Sequence, residues 1–142
     1  MTAATDAVTD APPRSADLVG RGLLALCALS AMVAVAEGAT RVAAAPAEWV
    51  LTEFWRTAAY LVFAGMWALL VARPRSQRGL WALIVLHKVL VTAQALLVID
   101  LPGAARTAWV DGALLVATLT AWVLCRGWLA WHRIDDGGGT RP

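Results

Sequence analysis

The chain has 142 residues, 60% of them hydrophobic and 15% charged, with a mean hydropathy of +0.65. A soluble domain is about one-quarter charged, so a water-soluble fold is excluded. The formal charge of +2 does not make a nucleic-acid binder, because the basic residues flank apolar runs instead of gathering on a polar face.

Residues Met1 to Asp17 carry Asp6, Asp10, Pro12 and Pro13. They are too polar to bury a face and too short to fold, and read as a disordered tail. The first apolar run goes from Leu18 to Ala36, and its helix can continue to Ala45, where Pro46 stops it. A competing reading attaches to this run. LLALCALSAMV followed by AVA and Glu37 resembles the core and small-residue site of a cleaved signal peptide, and cleavage would leave three spans starting at Glu37. The acidic stretch before Arg14 and the helical continuation GATRVAAA oppose it.

The second run extends from Trp49 to Ala72, the third from Leu80 to Ile99, and the fourth from about Ala108 to Trp131. Their separators, RPRSQRG and DLPGAAR, carry the proline and glycine of tight turns. After Arg133 the sequence IDDGGGTRP reads as a second disordered tail, so residues 18–133 form the transmembrane domain. The runs are continuously apolar and do not alternate with period two, which excludes a β-barrel and leaves helices. The expected fold is all-α: an integral membrane four-helix bundle.

Placing the N-terminus inside puts Arg14, Arg21, Arg73, Arg75, Arg78, Arg126, Arg133 and Arg141 on the cytoplasmic side and only Arg41, Arg56 and Arg106 outside. This arginine bias predicts both termini in the cytoplasm. Trp49 and Trp109 near the outer ends, with Trp81, Trp128 and Trp131 near the inner ends, suit interfacial anchoring. Eleven arginines against one lysine, in a chain rich in alanine and valine, reflect the coding bias of a high-GC bacterium and point to a bacterial inner membrane.

Ionisable side chains within a span cost several kcal/mol unless they pair or meet water, so they mark candidate functional positions. His87 and Lys88 fall within about 4 Å of the midplane of the third span. With Thr92 and Gln94 they are read as one broad polar arc. In the second span Trp49, Glu53, Arg56, Tyr60, Phe63 and Trp67 follow three- and four-residue steps along one stripe. Ser30, Glu37 and Arg41 share a face of the first helix, and Asp111, Thr118 and Trp122 one of the fourth.

If these stripes converge, Glu37, Glu53 and Asp111 surround Arg41 and Arg56, and Lys88 reaches up to the acids. The result is a polar pocket in the outer half, floored by His87, Lys88 and Tyr60. The alternative reading makes the same residues interhelical glue, contributing about 0.6 to 2 kcal/mol each. Cys27 and Cys125 lie in apolar runs without a partner at two-residue spacing, so they read as buried small side chains. No metal-ligand cluster, phosphate loop or nucleophile motif occurs, and no cofactor is expected.

WRTAAYLVFAGMWALLVARPRSQRGLWALIVLHKVLVTAQALLVI followed by TAWVDGALLVATLTAWVL resembles the small four-helix bacterial membrane proteins of the DoxX-like kind. The resemblance spans about residues 18–131 and rests on span count, the arginine-rich second loop, Lys88 in helix three and Asp111 opening helix four. It implies links to sulfur-compound oxidation and to redox membrane complexes. AVAEGATRV, with Glu37 in helix one followed by Thr40, resembles the small multidrug resistance exporters, but the remaining helices lack that family's pattern.

The leading functional expectation is a non-enzymatic accessory subunit or a binder of a small lipophilic ligand. Its partners would be the lipid bilayer and a membrane or redox complex or further copies of the chain. One alternative is a membrane-embedded enzyme using His87 or Lys88 as acid or base on a lipophilic substrate, with Tyr60 and Arg56 positioning it. The other is an oligomeric proton-coupled transporter, which four helices without inverted repeats do not favour.

Overall fold

A computed structural model of the chain describes residues 12–132. Four long helices, α1 (Arg14–Ala44), α2 (Val50–Ala72), α3 (Arg78–Leu97) and α4 (Ala104–Leu124), are followed by a single turn, α5 (Leu129–His132). There is no strand among the described residues. All four long helices are long and apolar enough to cross a membrane, which makes this a multi-pass membrane protein. Residues 1–11 and 133–142, most of the two tails, lie outside the described residues, as do Arg133 and Arg141.

The first helix begins four residues before the apolar run. Arg14 to Asp17, read from sequence as tail, are its first turn. Asp17 complements the positive end of the helix there, and its amide donates to the Pro13 carbonyl at 3.0 Å. At 31 residues α1 is about 46 Å long, well beyond a hydrocarbon core of about 30 Å. Its far end therefore carries Glu37 and Arg41 into the interfacial region. The helix runs unbroken through the Ala34–Glu37 segment that resembles a cleavage site. Leu24, Cys27 and Ala31 from its first half belong to the buried core, and a chain starting at Glu37 lacks them.

The fourth helix differs from expectation at both ends. It starts at Ala104, four residues early, and stops at Leu124 instead of running to Trp131. The stop is a Schellman motif: Arg126 is left-handed (φ 51), its amide donates to Val123 O at 3.1 Å, and Gly127 N donates to Trp122 O at 2.8 Å. A Cβ on Gly127 would collide with the Trp122 indole, which explains the glycine there.

The packing order is set by α1, which lies against α2 and α4, while α3 lies against α4 and touches α2 only lightly. Many large apolar side chains point outward, among them Leu26, Leu51, Trp55, Leu86, Leu97 and Trp109, while Leu24, Trp67, Leu70 and Ile84 fill the core. Small ones hold the helices together, with Ala31, Ala64, Ala95, Ala104 and Ala121 buried. That arrangement suits lipid, where helix association depends on close packing and gains nothing from hiding leucine. Trp81, expected at the interface, is 3% exposed and donates to the Pro74 carbonyl at 2.8 Å, pinning the α2–α3 loop.

Two glycines of α1 set its spacing to the neighbours. A Cβ on Gly20 would meet Cys125 Sγ at 2.6 Å, and one on Gly38 would overlap the Thr57 side chain, including Thr57 Cβ at 3.0 Å. Gly22, two residues on and about 200° around the helix, faces open space. Gly38→Ala should therefore lower the melting temperature in detergent, by about 1 to 3 kcal/mol of overpacking. Gly22→Ala should leave it unchanged or raise it, through helix propensity worth up to about 1 kcal/mol. Equal effects of the two would contradict this packing.

Candidate polar pocket in the bundle

The interior face of α3 is set by Trp81, Ile84, Lys88 and Ala95, all buried, at steps of three, four and seven residues. Lys88 is thus carried into the bundle at mid-helix, where its side chain is 7% exposed. Asp111 approaches it from α4, with Lys88 Nζ 2.5 Å from Asp111 Oδ1. The ammonium also lies 4.7 Å from the centroid of the Phe63 ring and 5.5 Å from that of Trp67. Each such contact contributes about 0.5 to 2 kcal/mol. The cage is braced from below, because Trp67 Nε1 donates to Thr118 Oγ1 at 3.1 Å and Thr118 Oγ1 donates to Leu114 O at 2.7 Å.

Above this floor opens a cavity of about 470 Å³. Its walls are Ser30, Ala34, Glu37 and Arg41 of α1, Arg56 and Tyr60 of α2, and Arg106, Thr107 and Val110 of α4. The opening lies toward the α1–α2 and α3–α4 connections. Around the rim Glu37 takes both Arg41 at 2.9 Å and Arg106 at 3.4 Å, and Glu53 pairs with Arg56.

Of the residues singled out from sequence, Lys88, Asp111, Arg56, Tyr60 and Glu37 meet in this cavity. Three do not. His87 is exposed on the outside of α3, its ring 4.4 Å from that of Phe63 centroid to centroid, so it is not part of the floor. Gln94 is also exposed and lines a separate groove. Seven residues apart, these two share a helix face, and Lys88 is turned about 100° from His87. Glu53 stands beside Arg56 behind the wall and does not line the cavity. Thr92 shares the side of Lys88, but its hydroxyl is buried without a hydrogen-bond partner among the described residues.

Sequence reading missed Arg106 and Thr107 because it began helix four at Ala108. The available signal was Gly103 followed by AAR, a helix opening directly after a turn glycine. It also missed the cluster at the opposite end of the bundle. There Asp17 is held by Arg75 at 2.5 Å and by Arg21 at 2.8 Å. Arg21 donates to the carbonyls of Val71 (2.6 Å) and Ala72 (3.3 Å), and Arg75 to that of Cys125 at 3.2 Å. The two arginines cap the C-terminal ends of α2 and α4, where unpaired carbonyls and the helix dipole favour cations.

No group of three or more histidine, cysteine, aspartate or glutamate side chains suited to a metal occurs among the described residues. Fold and cavity together define a multi-pass helical membrane protein with a charged pocket at one end of its bundle. Comparison with protein-family models, with curated proteins and with solved structures finds no match.

Proposed function

We propose that the protein is a non-enzymatic membrane binder of a small lipophilic ligand that carries a polar group, held in the pocket above Lys88. The observation that carries this reading is a cavity of about 470 Å³ floored by a buried lysine. That volume is within the range of small-molecule sites, about 300 to 1,000 Å³. A purely structural lysine at mid-span is an expensive fastener, at about 2.5 to 3.5 kcal/mol for insertion. An accessory role in a membrane complex, the role suggested by the DoxX-like resemblance, is compatible with binding such a ligand.

The enzyme alternative is less well supported, because His87 is exposed and does not line the cavity, and Lys88 is occupied by Asp111. The bias of arginine toward the α2–α3 loop supports a bacterial inner-membrane protein with both termini in the cytoplasm and the pocket open to the outside. Native mass spectrometry of the purified protein tests the binding reading. Wild type should carry a ligand of lipid-like mass, and Ala34→Trp, which fills the cavity, should not. An identical adduct on both would refute the pocket as its site.

A further inference from the structure

The charges around the pocket do not balance, and the imbalance identifies the ligand class. Four bases, Arg41, Arg56, Lys88 and Arg106, face three acids, Glu37, Glu53 and Asp111. Glu37 is shared by two arginines, and Arg106 holds the longer contact, 3.4 Å, with its side chain 73% exposed. Among the bases that line the site and the acids paired with them, one cation is therefore in excess. An arginine with a half-satisfied guanidinium is a donor fork suited to a carboxylate.

A second observation gives the shape. Beside the pocket, a groove of about 550 Å³ runs along Leu90, Val91, Gln94, Ala95 and Val98 to the connection between α3 and α4, with Arg56 the one α2 residue in its lining. It shares Arg56, Gly103 and Thr107 with the polar pocket. The polar chamber thus adjoins, at Arg56, a mostly apolar groove. We infer that the ligand is a single-chain anionic amphiphile of the fatty-acid class taken from the surrounding leaflet. Its carboxylate sits between Arg56 and Arg106, and its hydrocarbon chain lies in the groove along α3. The excess cation selects the negative head group, and the groove, at about 550 Å³, takes a single tail. This deepens the binding reading above and rests on it.

The test uses the full chain in nanodiscs and a fatty acid bearing a mid-chain photoreactive diazirine, with cross-linked residues mapped by peptide mass. Labelling should concentrate on Leu90 to Val98, and excess oleate should compete while oleyl alcohol does not. Arg56→Gln and, independently, the exposed Arg106→Gln should each weaken oleate competition at least about tenfold, the loss expected for a charge-assisted hydrogen bond. Ala95→Trp, which narrows the groove, should abolish labelling at those positions. Labelling spread evenly over the outward faces, or equal competition by the alcohol, would overturn the inference. If that happens while Ala34→Trp still removes the native adduct, the pocket reading survives and only the anionic, single-chain assignment fails. If Ala34→Trp changes neither measurement, both fail.

Discussion

Lys88→Met should be strongly destabilising, with a loss of about 3 to 5 kcal/mol and a fall in melting temperature on the order of 10 °C. Methionine keeps the unbranched stem and roughly the volume, so packing against Phe63 and Trp67 survives and the charge is what disappears. Asp111, only 16% exposed, then loses the ammonium at 2.5 Å, and its short side chain cannot extend to the interface. Removing the lysine lowers the cost of inserting α3 by about 2.5 to 3.5 kcal/mol. That gain accrues to the inserted helix whether or not the bundle has assembled, so it does not offset the assembly loss. The double variant Lys88→Met/Asp111→Asn should regain most of the stability, because no charge is stranded. Thermal unfolding in detergent measures the cycle. Small, additive effects would mean that the ion pair does not hold α3 to α4.

Arg75→Met should produce the second-largest loss, at the opposite end. This arginine ties the α2–α3 loop to Asp17 of α1 and to the Cys125 carbonyl after α4. Hydrogen bonds to charged groups contribute about 1.5 to 3 kcal/mol each. The side chain is 27% exposed, so solvent screening brings the pair down to roughly 2 to 3 kcal/mol. Arg21 keeps Asp17 partnered, which separates this case from Lys88, where the acid loses the cation that faces it. Arg75→Lys should recover only part of the loss, since an ammonium cannot reproduce the fork that spans two acceptors. Full recovery by lysine would show that charge alone matters there.

The helices, their number and the gathering of charged side chains at one end of the bundle were legible because lipid imposes simple rules. Continuous apolar runs must be helical, and charged residues within them must turn inward. Which charged residues share a site was harder to read. His87 and Lys88 are adjacent, and only one of them can face the interior. The deciding pattern, Trp81–Ile84–Lys88–Ala95, was obscured because Trp81 also fits the profile of an interfacial anchor. The end of α4 was hidden for a different reason. Its left-handed residue is Arg126, with the glycine one position later, so the usual glycine stop signal was displaced. Asp17 looked like tail because its partner Arg75 is 58 residues away, and the i, i+4 pairing with Arg21 was the one local signal.

The central claim is that a water-accessible polar pocket penetrates the bundle from one side down to the level of Lys88. Leu114 lines it at depth, and the native thiols Cys27 and Cys125 are buried, giving a quiet background. In oriented membrane vesicles carrying Leu114→Cys, a charged, membrane-impermeant thiol reagent added on the outer face should label the protein, and Ala34→Trp should block it. Labelling only from the cytoplasmic face, or none in a folded protein, would contradict the account.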